Sequence, residues 1–271
     1  MLRLVAAMTP ILLAACSRAD PGTCTSGFGT ISCTANSDRV GEPGHQRRVL
    51  WQVPAGEAPE AGWPVVLLFQ GSLSPAQTYW SGYQAEMLGG IHQVELTQRL
   101  LADGYAVFTP LAVVGGFWCW NTNVIPWAAD WEDSPDKSVL DVLFDEMDAG
   151  DFGPLDTSRM YAGGISSGGY MTSRMAEAYP GRFSALAIVS ASWATCLGTF
   201  CALPDELPAD HPPTFFGHGA KDFIVPPRTM LKYRDALDDM GVETETTIDP
   251  MTAHGWFDGE AEDVAEWFEG H

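Results

Sequence analysis

A serine set between glycines is the feature of this chain with the clearest chemical potential. Gly164-Ile165-Ser166-Ser167-Gly168 follows an apolar, strand-like run and precedes a stretch with helical spacing. A strand, a tight turn and a helix in this order present the central serine hydroxyl as a nucleophile, and only glycine leaves room for the flanking backbone segments. A purely structural turn of small residues is the alternative. The context favours Ser166 as a nucleophile.

A serine hydroxyl needs a base to accept its proton and an acid to orient that base. Asp222 follows the apolar run PTFFGHG, and His254 lies in a loop between the next strand and the last helix. We therefore predict His254 as the base and Asp222 as the acid, in the chain order serine, acid, histidine. Asp249 is a rival acid that lies close to His254 in the chain. His218 is interpreted as a structural residue that shapes the Asp222 loop.

The negative charge that develops on an attacked carbonyl oxygen needs two hydrogen-bond donors. The backbone N–H of Ser167, directly after the expected nucleophile, is the first candidate. The second is expected in the loop after an earlier strand, where LLFQGSLSP contains Gln70, Gly71 and Ser72. We favour the N–H of Ser72 as the second donor. An ordinary turn at the exit of a strand remains the alternative for this stretch.

Tryptophans are concentrated near the loops that are expected to carry the site. Four of them fall between residues 118 and 131, and two more lie beside the other candidate loops. Rigid aromatic rings in loops offer a large apolar contact area for a neutral substrate. Burial of the same rings in the core is the alternative. The predicted substrate-binding residues are Trp118, Trp120, Trp193 and Trp256.

Apolar runs and amphipathic stretches alternate through most of the chain, and their order predicts the fold class. Strands that alternate with helices of ordinary length indicate a mainly parallel sheet with helices on both faces. We predict one catalytic domain at 46–271, preceded by a lead-in at 17–45 that is rich in Gly, Ser and Thr. Residues 111–135 and 191–212 lack periodicity, and we expect such loops to gather at the ligand-binding edge of the sheet.

The charge balance bears on the partners of the protein. Its 35 acidic and 14 basic residues give a formal net charge of −21. A surface this acidic repels nucleic acid and anionic lipid, so neither is an expected partner. No cysteine or histidine spacing resembles a zinc site. The predicted serine chemistry requires neither a metal nor a cofactor.

The first residues are typical of an export signal. MLRLVAAMTPILLAAC contains one arginine, an apolar run too short to span a membrane, and small residues before a cysteine. We assign residues 1–16 as a signal peptide. Leu13-Ala14-Ala15-Cys16 resembles the bacterial lipobox, which implies a lipid on Cys16 and an outer-membrane location. An ordinary signal peptide that happens to contain a cysteine is the alternative, and would leave the protein secreted.

Six cysteines in an exported chain suggest disulfide bonds. Without Cys16, five cysteines remain, which is an odd number. Pairs between Cys24 and Cys33 and between Cys196 and Cys201 would each close a short loop, although connectivity cannot be fixed from sequence. Cys119 is then left free or buried.

Taken together, these residues resemble the extracellular medium-chain-length polyhydroxyalkanoate depolymerases, which have the α/β-hydrolase fold. The isoleucine-containing serine motif, the Gln70-Gly71-Ser72 stretch and the Ser166, Asp222, His254 order carry the resemblance over nearly the whole mature chain. It implies a secreted or surface-anchored serine esterase that releases 3-hydroxyalkanoate monomers and oligomers from a storage polyester. The family is freely secreted, so the lipobox-like Cys16 is a departure from it.

Other functions share these residues. A carboxylesterase of the same fold, such as a short-chain polyhydroxybutyrate depolymerase or a feruloyl or acetylxylan esterase, would use the same catalytic groups. A surface lipoprotein that kept the fold as a non-catalytic binding module is a further alternative. We expect a monomer that acts on a hydrophobic ester.

Overall fold

The computed structural model describes residues 20, 22–112 and 119–271, which form eleven strands and five α-helices. The strands are β1 (Cys24–Gly27), β2 (Thr30–Cys33), β3 (Asn36–Val40), β4 (Arg47–Gln52), β5 (Trp63–Phe69), β6 (Ser81–Tyr83), β7 (Ala106–Pro110), β8 (Leu155–Ile165), β9 (Phe183–Val189), β10 (Thr214–Gly219) and β11 (Thr244–Asp249). The helices are α1 (Gly90–Ala102), α2 (Pro135–Ala149), α3 (Ser167–Ala178), α4 (Pro227–Met240) and α5 (Glu260–Gly270).

The central sheet confirms the prediction of a mainly parallel arrangement. Within the described part of the chain it has eight strands in the order β11-β10-β9-β8-β5-β7-β4-β3. Strands β5 and β7 to β11 are parallel, whereas β4 runs antiparallel to β7 and β3 antiparallel to β4. The parallel strands all end at one edge, which we call the carboxyl edge; the opposite one is the amino edge. Loops that follow the parallel strands therefore meet at the carboxyl edge.

Helices cover both faces of this sheet, as its apolar sequences require. Neighbouring residues of β5 show the division: Leu68 lies in the apolar cluster with α1 and α5, whereas Phe69 lies in the cluster with α2 and α3. On the second face, Phe216 of β10 packs with residues of α4. The sheet is thus buried between two helical layers.

The N-terminal region differs from the expected lead-in. Strands β1, β2 and β6 form a small antiparallel sheet, and β3 is the edge strand of the central sheet. Residues 36–40, which precede the predicted boundary at residue 46, thus belong to the central sheet together with residues of the predicted catalytic domain. β1, β2 and β3 have only four, four and five residues, so an alternation of apolar and polar residues is too short to identify them in the sequence.

The predicted cysteine pairs are both present. Cys24 and Cys33 join β1 to β2, and Cys196 and Cys201 close a loop after β9. Cys119 is half-buried and is the free cysteine among the described residues. Residues 1–16, with Cys16, and Trp118 lie outside the described residues. None of the described helices combines the length and apolar character needed to cross a bilayer.

Asp20, the first residue that the structure describes, is hydrogen-bonded to residues at the amino edge of the sheet. The backbone carbonyl of Asp20 accepts hydrogen bonds from the Gln52 side chain at 3.1 Å and from the Thr34 hydroxyl at 2.8 Å. Gln52 is the last residue of β4 and pairs with Val107, near the start of β7. Because β4 runs opposite to the parallel strands, its end lies at the amino edge.

Candidate active site

Ser166 lies on a strained turn between β8 and α3. Its backbone has φ of 54° and ψ of −120°, a combination that costs energy for a residue with a side chain. Glycines make the turn possible. A Cβ added to Gly168 would lie 1.9 Å from the Phe69 carbonyl oxygen, and one added to Gly164 would lie 2.5 Å from the Gly168 oxygen. The turn therefore depends on the two glycines of the motif, as the sequence predicts.

Asp222 and His254 meet at the carboxyl edge, from the loops after β10 and β11. The Nδ1 atom of His254 lies 2.7 Å from Oδ2 of Asp222. The other carboxylate oxygen accepts the backbone N–H groups of Ile224 at 2.9 Å and Val225 at 2.8 Å. These bonds fix the carboxylate, which in turn orients the imidazole ring and leaves its Nε2 for a second partner.

The Asp222 carboxylate is held in its ionised form. Burial on its own would raise the pKa of this group, but hydrogen bonds from His218, His254 and the Val225 amide bring the pKa well below its usual range. His218 is fully buried, and its Nε2 lies 2.7 Å from the Val225 carbonyl oxygen and 3.4 Å from Oδ2 of Asp222. This position agrees with the interpretation of His218 as a residue that shapes the Asp222 loop.

The rival acid, Asp249, has a different environment. It is the last residue of β11, and its Oδ1 accepts the backbone N–H groups of Met251 at 2.9 Å and Thr252 at 2.6 Å. These two bonds stabilise the turn that leads to His254. Asp249 therefore shapes the histidine loop, whereas Asp222 contacts the histidine ring.

The Ser166 turn and the His254 loop are joined through the end of β9. The Ser166 N–H donates to the Val189 carbonyl at 2.9 Å, and the hydroxyl of the next residue, Ser190, lies 3.3 Å from both the nitrogen and the oxygen of Gly255. Within the described residues, the Ser166 hydroxyl makes no hydrogen bond to the His254 ring. Such bonds commonly form only in the substrate complex.

The two candidate oxyanion donors lie on either side of Ser166. Ser167 is the first residue of α3, where backbone N–H groups point out of the helix and favour negative charge. On the other side, a Cβ built on Gly71 would lie 3.7 Å from Cβ of Ser166. Ser72 follows Gly71 and is exposed. An oxygen bound over Ser166 would thus lie between the α3 N-terminus and the loop after β5.

Trp120 connects these two donor segments. Its backbone N–H donates to the Ser167 hydroxyl at 3.0 Å, and its indole N–H donates to the Gln70 carbonyl at 3.0 Å. The Gln70 side chain is itself buried, accepts the Ala112 N–H at 3.4 Å and donates to the Ser74 carbonyl. One tryptophan therefore holds both the start of α3 and the loop after β5.

The described tryptophans differ from the expected open aromatic surface. Trp120 and Trp193 are each 1 % exposed and Trp256 is 4 % exposed. Trp193 packs edge-to-face on Tyr233, with ring centroids 5.3 Å apart, and the backbone N–H of Trp256 donates to the Leu88 carbonyl at 3.0 Å. Since their rings are enclosed by protein atoms, they support the site loops and do not offer a free contact surface. The core alternative describes them better.

A different set of apolar side chains is exposed beside the site. These side chains belong to the loops after β5, β9 and β10, which all leave the carboxyl edge. They are Leu73 (66 %), Leu197 (60 %), Phe200 (81 %), Phe223 (80 %) and Ile224 (52 %). We call them the apolar rim. Sequence reasoning missed this rim, although Leu73 adjoins Ser72 and Phe223 adjoins Asp222; their position directly beside candidate site residues was the available signal.

The comparison with curated proteins decides the family. The chain is 45% identical over 227 residues to the poly(3-hydroxyoctanoate) depolymerase of Pseudomonas fluorescens, a match that covers 83% of this chain and 80% of the relative. The chain belongs to this depolymerase family. No family model matches it. The predicted resemblance to polyhydroxyalkanoate depolymerases is thereby confirmed, and this family member is a carboxylic-ester hydrolase.

The likeness to solved structures shows that this chain has the α/β-hydrolase fold, as predicted. The Bacillus cereus carboxylesterase superposes with a TM-score of 0.58 at 14% identity, over 83% of this chain and 94% of that one. The Pyrococcus horikoshii acylaminoacyl peptidase gives a TM-score of 0.59 at 15% identity, over 88% and 41% of the two chains. At these identities the likeness concerns the fold alone.

Proposed function

We propose that the protein is a serine esterase that hydrolyses medium-chain-length polyhydroxyalkanoate. The observation that carries the proposal is the 2.7 Å contact between His254 and Asp222 at the edge where Ser166 occupies its strained turn. This arrangement is found in a chain that is 45% identical to a poly(3-hydroxyoctanoate) depolymerase. A nucleophile, a base and an oriented acid are the groups that acyl transfer requires.

The reaction proceeds through an acyl-enzyme. The Nε2 atom of His254 takes the Ser166 proton, and Oγ of Ser166 attacks the ester carbonyl carbon. The N–H groups of Ser167 and Ser72 stabilise the oxyanion. The ester bond then breaks, and the leaving alcohol takes the proton from His254. Water, deprotonated by His254, attacks the acyl carbon and releases a 3-hydroxyalkanoate carboxylate and free Ser166. The chemistry calls for no metal or cofactor.

The apolar rim supports a hydrophobic, alkyl-bearing substrate. Its side chains come from the loops after β5, β9 and β10, which leave the same edge of the sheet as the Ser166 turn, and two of these loops carry Ser72 and Asp222. Exposed apolar area of this kind is unusual on a soluble surface unless it contacts a ligand or partner. A neutral polyester with medium-length alkyl side chains would bury this area without having to desolvate charges.

The signal-like residues and the disulfides support export. Disulfides persist in oxidising compartments, and both predicted pairs are formed. We propose that the signal peptide is cleaved off immediately before Cys16, which becomes the first residue of the mature protein, and that the mature enzyme is a monomer. Its lipobox-like sequence favours a lipid on Cys16, which would keep the enzyme on the outer membrane.

A plate assay tests the proposed substrate. The purified enzyme is spotted on emulsions of polyhydroxyoctanoate and polyhydroxybutyrate, and feruloyl and acetylxylan esters are assayed in parallel. We expect clearing of polyhydroxyoctanoate and much slower turnover of the other substrates. Preferential turnover of polyhydroxybutyrate or of a feruloyl ester would overturn the assignment.

A pair of serine variants tests whether Ser166 is the nucleophile. Ser166→Ala is expected to abolish both clearing and hydrolysis of p-nitrophenyl octanoate, and to prevent labelling by a fluorophosphonate. Ser37→Ala removes an exposed hydroxyl from β3 and should behave as the unmodified enzyme. Labelling of the Ser166→Ala protein at the normal rate would show that another residue is the nucleophile.

A further inference from the structure

A cavity of about 780 Å³ lies at the carboxyl edge, on the side of β4 and β3. Its lining combines basic side chains, two glutamine amides and apolar side chains. No acidic side chain is found among the described residues that line it. The residues that matter for its chemistry are Arg39, His45, Arg47, Arg48, Pro75 and Leu111.

Two of the three arginines that line this cavity have no ion-pair partner among the described residues, and these two form the positive cluster. Arg39 and Arg48 are direct cross-strand partners on β3 and β4, where like charges oppose each other at a cost in stability. Arg47 forms a buried ion pair with Asp136. Among the described residues, neither Arg39 nor Arg48 forms an ion pair. A protein with a net charge of −21 therefore keeps two adjacent arginines outside any ion pair in the described part of the chain.

The arginine cluster lies at the same edge of the sheet as Ser166. Because β4 is antiparallel to β7, it begins at the carboxyl edge, and the Arg48 carbonyl accepts the Leu111 N–H at 2.9 Å just beyond β7. Three strand spacings separate β8 from β4 in the sheet order, a distance of about 14 Å. Pro75 and Leu111 line the cavity on the side of the loop after β5.

We propose that this cavity binds the terminal carboxylate of a 3-hydroxyalkanoate oligomer, and the proposal rests on the proposed function. A linear polyester of this type has one carboxylate, at the end of the fragment that leaves as the alcohol. Arg39 and Arg48 bind that carboxylate through their guanidinium groups, and Pro75 and Leu111 contact the alkyl chain. The scissile ester then lies a few repeat units away, over Ser166.

The carboxylate at the end of each oligomer is the group that the arginine cluster would recognise. Each round of hydrolysis creates a new carboxylate, and the acidic surface of the enzyme repels anions in general. A local positive potential at the sheet edge attracts the chain end and sets the direction in which the oligomer lies. The enzyme should consequently favour short chains with a free carboxylate over the same chains with a blocked end.

Hydrolysis of defined oligomers tests this preference. The 3-hydroxyoctanoate tetramer is compared with its methyl ester, and p-nitrophenyl octanoate serves as an ester without a carboxylate. We expect kcat/KM to be about tenfold higher for the free acid, mainly through KM. Arg39→Gln/Arg48→Gln should bring the two tetramers to parity and leave p-nitrophenyl octanoate unaffected. Arg159→Gln/Arg228→Gln, with the same change in net charge elsewhere, should keep the preference.

A binding measurement tests the proposed carboxylate site even if the enzyme does not hydrolyse the polyester. The tetramer acid is titrated calorimetrically into Ser166→Ala protein, with and without the two arginine substitutions, and inorganic phosphate is titrated as a second anion. Tighter binding of the acid than of its methyl ester, lost with Arg39 and Arg48, supports the proposal even where no turnover occurs. Equal binding of acid and methyl ester, or phosphate binding as tight as that of the acid, overturns it.

Discussion

The indole nitrogen of Trp120 lies 3.0 Å from the carbonyl oxygen of Gln70, and this bond fixes the loop after β5. The same residue, through its backbone, also binds the Ser167 hydroxyl at the start of α3. The two proposed oxyanion donors belong to these two segments. Their spacing therefore depends on a residue that a substrate would never touch.

Trp120→Phe is expected to lower kcat for p-nitrophenyl octanoate by about tenfold, since loss of the indole N–H frees the donor loop and weakens oxyanion stabilisation. KM should change little, because the ring is buried. Trp193→Phe is the matched control, as Trp193 is equally buried but packs against Tyr233. Equal losses of kcat in both variants, with equal falls in melting temperature, would point to a merely structural role.

Asp222→Asn is expected to reduce kcat by about 10⁴-fold, because the amide no longer stabilises the protonated histidine and favours the wrong tautomer. Asp249→Asn should cost at most a few-fold, since Asp249 binds Met251 and Thr252 in the turn before His254. Both are measured by steady-state kinetics at pH 8. A larger loss for Asp249→Asn would reverse the assignment of the acid.

Gly168→Ala is expected to destabilise the fold by about 3 kcal/mol or more, because backbone must move to accept the added methyl group. The new Cβ would lie 1.9 Å from the Phe69 carbonyl oxygen, a distance that no rotamer change can relieve. Gly27→Ala adds the same group in open space on β1. Urea unfolding of the two variants gives the comparison, and similar midpoints would refute the close approach of α3 to β5.

The stability of the protein should fall as the pH rises above the ordinary range of a glutamate, because of Glu260. This carboxyl is fully buried, and burial raises its pKa well above the usual value even though the Phe257 N–H donates to it. The folded state thus keeps a proton that the unfolded state releases at about pH 4.3. That contribution to stability is present at lower pH and is lost as the pH approaches the folded pKa.

Glu260→Gln removes this titration, so its gain in unfolding free energy relative to the unmodified protein should be larger at pH 7 than at pH 4. Glu266→Gln on the same helix is exposed and should show no such trend. Denaturant melts at both pH values measure the difference. A gain that does not depend on pH would mean that Glu260 is ionised in the folded protein.

The regular elements and the order of the candidate triad could be predicted from the sequence because both have local signals. Runs such as WPVVLLF mark buried strands, and glycine and proline mark the ends of helices. The strands β1, β2 and β6 could not be recognised, because they have only three or four residues each and their pairing depends on distant contacts, including the disulfide between β1 and β2. The role of Trp120 was equally hidden, since its partners Gln70 and Ser167 lie about fifty residues away on either side.

The attachment of Asp20 at the amino edge has a consequence for the orientation of a membrane-bound form. If Cys16 carries the proposed lipid, only a few residues separate it from Asp20, and an extended chain of that length reaches about 14 Å. The amino edge would then lie against the bilayer. Ser166 and the apolar rim, at the opposite edge, would face the surroundings, so the anchored enzyme could act on polymer outside the cell without leaving the membrane.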